Sequence, residues 1–148
     1  MENLTTKKKV NLTKNDYPLG IKRPDLLFSR TEKPYNDLTL DAALKGDVTE
    51  TDLRISPKTL EMHADISESL GRTQLAKNFR RASEMINISD ARILQIYNAM
   101  RPNRSTKEQL LAIANELEEE YGALENAKLI REAADVYERR GRLKRNED

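Results

Sequence analysis

What most constrains this chain is its punctuation. From Thr39 onward, residues that start helices alternate with residues that stop them. Thr39, Ser56 followed by Pro57, Thr73, Ser89 and Ser105 stand at starts, and Gly46, Gly71, Pro102 and Gly122 at stops. A hydroxyl at a cap position accepts a backbone N–H that the first helical turn leaves orphaned, and Pro just after it gives up no hydrogen bond. Glycine past a helix end takes the left-handed conformation that closes it. From Ser56 these signals recur every 16–18 residues. The chain has 13 Ala and 19 Leu against 3 Val, which favours helix over strand.

Apolar residues recur at helical spacing within these segments. Thr39 caps a short helix ending at Gly46, and Thr49 to Leu53 reads as one further turn. The first long helix carries Leu60, Ala64, Ser67 and Leu70, widened by Met62 and Ile66. The next has the cleanest stripe of all: Leu75, Phe79, Ala82 and Ile86. Ile93, Ile96, Tyr97 and Met100 line the third. Ser105 and Glu108 predict a capping box for the fourth, lined by Leu110, Ile113, Ala114, Leu117 and Tyr121. The last runs from about Ala123 to Arg140, with Leu124, Ala127, Ile130, Ala134 and Tyr137 inward. The expectation is an all-α fold, a small bundle of about five helices over residues 36–148 whose stripes form its core.

Residues 1–35 show no sustained period. Pro18, Pro24 and Pro34 each push the preceding residue out of helical space. Leu19, Ile21, Leu26, Leu27 and Phe28 fit neither template, yet a free tail would be polar throughout. The segment reads as an extended arm lying along a partner. It is mildly basic, with 8 Lys/Arg against 4 Asp/Glu in residues 1–33, in a chain of net charge +1. That balance suits an acidic protein surface at least as well as a nucleic acid.

The residue inventory excludes much chemistry. Without Cys there is no disulfide, thiolate zinc site or thiol nucleophile. His63 is the single histidine, which excludes a multi-His metal site within one chain. Five Gly form no phosphate loop. No apolar run is long enough to span a membrane, and no signal-peptide core is present, so the expected location is the cytoplasm. Hydrophobic residues are 37% and charged residues 34% of the chain, against roughly 45–50% and 25% in ordinary globular domains. The core is therefore expected to be thin, or completed by another chain.

The remaining candidates are modest. His63 reads as a boundary histidine. Glu118, Glu119 and Glu120 point about 100° apart around a helix and cannot form one acid/base pair. Asp47, Glu50 and Asp52 lack the calcium-loop pattern. The Thr73–Ile86 and Asp90–Met100 pair resembles a helix-turn-helix that would offer Asp90, Arg92, Gln95 and Asn98 to DNA, but Asp90 would repel phosphate. The basic residues from Arg139 to Arg145 complement a helix dipole. Arg101 and Arg104 flank a Pro-Asn turn, where their guanidinium forks suit either a partner's carboxylates or the carbonyls of the preceding helix.

Six groups of residues, taken in order and spacing, carry a family resemblance. They are Asp16-Tyr17-Pro18-Leu19; Arg54-Ile55-Ser56-Pro57 with Thr59-Leu60; Asn78-Phe79-Arg80-Arg81-Ala82 with Glu84; and Ile96 to Pro102 with Arg104-Ser105-Thr106. Leu110 to Ala114 with Leu117-Glu118, and Arg131 to Ala134 with Tyr137, complete the series. Over residues 16–145 the chain resembles the small (gamma) subunit of adenosylcobalamin-dependent propanediol and glycerol dehydratases. The resemblance implies large and medium subunits as partners, in a dimer of heterotrimers that turns a diol or glycerol into an aldehyde and water by radical chemistry. It implies that adenosylcobalamin and the substrate are held by those partners. No catalytic, cofactor or metal residue is expected on this chain. The interface is expected at Tyr17, Leu19, Leu26, Leu27, Phe28, Arg101 and Arg104. Ahead of Asp16, Leu4, Val10 and Leu12 make no amphipathic helix, so microcompartment targeting by this segment is not expected. A helical adaptor or a helix-turn-helix DNA-binding protein are the alternatives.

Overall fold

The computed structural model describes residues 11–145. It contains seven α-helices: α1 (Leu19–Lys22), α2 (Leu40–Leu44), α3 (Pro57–Ser69), α4 (Thr73–Met85), α5 (Asp90–Ala99), α6 (Lys107–Tyr121) and α7 (Leu124–Arg139). Among the described residues there is no strand, and one isolated bridge joins Phe28 and Pro34. The all-α expectation holds, and the five long helices stand where the start and stop signals put them.

Short connections make the long helices pack as hairpins. α3 lies along α4, and α6 lies along α7. In the first hairpin, Ala64 and Ala76 are wholly buried. Arg80 reaches across to Glu61, Asp65 and Glu68, and the Ser83 hydroxyl donates to Glu61. The second hairpin holds the main core: Leu110, Ala114 and Leu117 with Ala127, Ile130 and Ala134, joined by Ile88 and Ile96. Leu110, Leu117 and Ile130 are its largest sealed side chains, each contributing about 1.5–3 kcal/mol of burial free energy. Gly122 closes α6 at φ 62°, and its N–H donates to the Glu118 carbonyl.

The hairpins meet through a cap that comes from another helix. α7 starts after Ala123, which has no side-chain oxygen to offer. Glu84 of α4 supplies it: its carboxylate accepts from the Glu125 N–H at 2.9 Å and the Asn126 N–H at 3.0 Å. The Asn126 amide then donates to Glu84 at 2.6 Å and to the Arg81 carbonyl at 3.0 Å.

Several local expectations change. The clean stripe of α4 is not its core face. Ala76 and Ser83 are the buried residues, while Leu75 is 39% exposed and Phe79, Ala82 and Ile86 are half-buried. On α5, Tyr97 is 67% exposed and Ile96 takes the core position. At the start of α7, Leu124 is exposed and Ala123 and Asn126 are buried. The capping box of α6 lies one residue further on, at Thr106 and Gln109. The Ser105 hydroxyl is already committed, donating to the Ala99 carbonyl and closing the turn from α5.

The N-terminal arm is wound rather than extended. Short 3-10 turns at Lys14–Asp16, Pro24–Leu26 and Tyr35–Asp37 flank α1. These bends carry Leu12, Leu19 and Leu27 onto Ile66 of α3, with Leu26 and Met62 beside them. Leu4 and Val10 lie outside the described residues.

Glu84→Ala should lower stability by about 1–2 kcal/mol, the loss expected for a helix cap that satisfies two backbone donors. Urea denaturation followed by circular dichroism measures it. Glu84→Gln should retain part of the loss-free state, because the amide oxygen still accepts.

Candidate functional site

One buried carboxylate anchors the loop side of the molecule. Asp52 accepts from the Ser29 hydroxyl at 3.1 Å, the Thr49 N–H at 2.9 Å, the Lys33 ammonium at 2.9 Å and the Thr31 hydroxyl. Hydrogen bonding by Thr31, Thr49 and Lys33 holds its pKa well below the usual carboxylate range. Lys33 also donates to the Asp47 carbonyl. This network ties the arm to the turn before α3. The alternation Ser29, Thr31, Lys33 was the available sequence signal, but it has meaning only once Asp52 is folded against it.

The expected interface residues divide into two groups. Leu19 at 3% and Leu27 at 8% exposure are consumed by the chain's own small core with Ile66, and Leu26 is packed against it. For Leu19 and Leu27 the expectation of a surface left to a partner changes, because the wound arm covers them itself; Leu26 is half-buried and lines a groove beside Phe28. Tyr17, at 56%, and Phe28 stay exposed. Arg101 and Arg104 are exposed on the turn between α5 and α6, where Asn103 takes φ 62°. Among the described residues neither guanidinium has an ion pair or caps a carbonyl. The carbonyls ending α5 are taken instead by the Ser105 hydroxyl and by the Tyr137 hydroxyl, which donates to Met100 at 2.7 Å.

His63 is half-buried between rings. It stacks on Phe79 with centroids 5.5 Å apart and meets the Tyr17 ring edge-on at 6.4 Å. Beside it lies a groove of about 390 Å³ lined by Ile66, Leu70 and Leu75 as well. A second apolar groove of about 450 Å³ runs between α4, α5 and α7, past Met85, Ile93, Tyr97, Met100 and Leu129. Ile21, Leu40, Leu44, Leu53, Ile55 and Leu94 add exposed apolar surface.

The other candidates are absorbed locally. Arg92 forms a two-pronged pair with Glu116 of α6 and donates to Gln95. The pair raises the Arg92 pKa and lowers that of Glu116. Glu118 pairs with Arg131 across α6 and α7. Among the described residues no cluster of three or more His, Asp or Glu side chains could hold a metal ion.

Comparison with known proteins gives a consistent result. Residues 12–144 match the family described as dehydratase small subunit. The chain is 49% identical over 130 residues to the propanediol dehydratase small subunit of Salmonella typhimurium, covering 88% of this chain and 75% of that one. It is 48% identical over 129 residues to the protein of the same name from Citrobacter freundii, covering 87% and 75%.

Asp52 yields a test by pH. Its depressed pKa means that its contribution is complete above the ordinary carboxylate value of about 3.9. The contribution is lost as pH falls through the lower folded value. Asp52→Asn should therefore lower the thermal midpoint at pH 7 and speed proteolysis between residues 28 and 56. The gap to the unsubstituted chain should narrow only below about pH 4, as measured by thermal melts across pH.

Proposed function

The chain belongs to the dehydratase small-subunit family, and we propose that it is the accessory small subunit of a coenzyme-B12-dependent diol or glycerol dehydratase. Such an enzyme converts 1,2-propanediol or glycerol to an aldehyde plus water. The observation that carries this reading is apolar surface left open on a chain of this family. Among the described residues, Ile21, Leu40, Leu44, Leu53, Ile55, Leu94 and Tyr97 stay 62–79% exposed. Large apolar side chains left open in this number mark surface that another chain covers.

The partners in this reading are the large and medium subunits, in a dimer of heterotrimers. Tyr17, Phe28, Arg101 and Arg104 form part of the interface, together with the arm of residues 1–35. Among the described residues neither arginine has an ion-pair partner, and their guanidinium forks suit a partner's carboxylates. Leu26, half-buried, lines the same groove as Phe28.

This chain is non-catalytic in the proposed assembly. Its donor set does not fit adenosylcobalamin: the single imidazole is wedged against Phe79 and Tyr17, and the larger groove is lined by aliphatic and thioether side chains. The cofactor and substrate are assigned to the partner subunits, and no step of the reaction runs through the residues described. The assembly is assigned to the cytoplasm; no helix among the described residues is long and apolar enough to cross a membrane.

Turnover per assembled complex, with cobalamin saturating, tests the reading. His63→Ala should leave it within a few-fold, because loss of a general acid or base costs roughly 10²–10⁴-fold. Arg101→Ala and Arg104→Ala should instead lower the yield of complex, by roughly 10-fold if their partner charges are buried. The complex that does form should turn over normally. A drop of 100-fold or so in turnover for His63→Ala at full assembly would place a catalytic group on this chain.

A further inference from the structure

The tail that follows α7 is folded back onto the turn between α5 and α6. Gly141 reverses the chain at φ 60°. Two backbone hydrogen bonds then join tail to turn: the Asn103 N–H donates to the Arg142 carbonyl at 2.7 Å, and the Lys144 N–H to the Ser105 carbonyl at 2.9 Å. Leu143, between them, packs against the main core. This clasp brings Arg142, Lys144 and Arg145 beside Arg101 and Arg104, all five exposed. Arg139 and Arg140 at the end of α7 precede them, so five of residues 139–145 are Lys or Arg. Among the described residues none of these seven cations has an ion pair, whereas Lys107 nearby is matched by Asp135 and Glu138. With Lys107 there are eight cations at this end of the α6–α7 hairpin, against Glu108, Asp135 and Glu138 among the described residues. Glu2, Glu147 and Asp148, outside that range, raise the carboxylates to six at most, so a positive excess remains wherever they lie. Cations gathered in this way repel one another. The fold holds them together with backbone bonds that do not depend on the side chains.

We propose that this patch is the docking site for an acidic segment of a partner subunit, in which at least two Asp or Glu side chains stand close together. The inference rests on the small-subunit reading above and deepens it, since it adds the tail to the turn that carries Arg101 and Arg104 and states the chemistry of what binds there. A guanidinium fork donates two parallel hydrogen bonds to a carboxylate. Arg101 and Arg104 on the turn, with Arg142 and Arg145 on the tail, offer four such forks. Carboxylates seated among them relieve the repulsion between the cations. A nucleic acid suits the patch less. α6 has 15 residues, a length of about 22 Å, and its far end carries the exposed Glu118, Glu119 and Glu120. Phosphates continuing along the hairpin would run onto those carboxylates. A short acidic segment ends before them.

The test uses the complete co-expressed dehydratase. A carbodiimide joins an amine to a carboxylate only where the two are in direct contact. Lys144 is the one side-chain amine on the tail, and Arg101→Lys places a second on the turn. Peptide mass spectrometry should find both positions joined to the same stretch of a partner subunit, one in which Asp or Glu residues stand close together. Separately, Arg142→Glu combined with Lys144→Glu should retain roughly 10-fold less of that subunit per small subunit. Circular dichroism checks that the helices are retained. Raising salt should release the subunit from the unsubstituted complex, and the double reversal should abolish that dependence. Links confined to Glu108, Glu147 or Asp148 of the chain itself would overturn the inference. So would the absence of any link at both positions in an intact complex; the small-subunit reading would then stand. Binding of a short random-sequence DNA duplex by the unsubstituted complex, lost in the double reversal, would overturn it in favour of a nucleic acid. If the unsubstituted chain retains no partner subunit at all, the small-subunit reading fails first, and the docking inference with it.

Discussion

The capping of α7 by Glu84 sets the relation between the two helical hairpins. A helix that begins at Ala123 brings orphaned N–H groups into a partly buried position, and its own sequence offers nothing to satisfy them. The carboxylate of α4 meets two of those donors and favours the positive end of the α7 dipole. Once Glu84 points at α7, the rotation of α4 is fixed. Ala76, Arg80 and Ser83 then face α3, and successive residues are about 100° apart. The stripe of Leu75, Phe79, Ala82 and Ile86 is left on the side away from α7. The exposure of Leu75 at the start of this stripe thus follows from where the cap between the hairpins lies.

The rest of the structure is economical in apolar material. Among the described residues there are two small cores, one between α6 and α7 and one between the arm and α3. Alanine fills many contact positions, so each contact contributes little burial. Ion pairs cross most of the helix interfaces: Arg80 between α3 and α4, Arg92 between α5 and α6, Lys107 and Arg131 between α6 and α7. Partly exposed pairs of this kind contribute small amounts to stability. Their main effect is on register, since each long side chain reaches its carboxylate at one helical offset. A fold held in this way specifies its geometry well and leaves its total stability to be raised by binding.

The starts and stops of the helices were legible in the sequence because they depend on local physics. A hydroxyl at Thr39 or Ser89 satisfies an N–H three residues on, and Gly122 alone can take the left-handed turn there without a Cβ penalty. Ser105 was misread by one position because two hydroxyls stand side by side. Which of them caps α6 was settled by the Ala99 carbonyl, which the sequence does not place nearby. What covers Leu19 and Leu27 was not legible either. Proline spacing says that the arm cannot be a long helix, but it does not say that the bends return it to α3.

By itself, then, the sequence determined the all-α class, the five long helices, an inventory with one His and no Cys and, through six spaced motifs, the family. These follow from backbone hydrogen bonding within a few residues and from residue identity. Tertiary structure alone decided which side of each amphipathic helix became core. Helical period marks an apolar stripe, but a stripe on α4 can face a neighbouring helix or an absent subunit equally well. The choice was made at a distance, by a carboxylate 41 residues from the N–H that it caps.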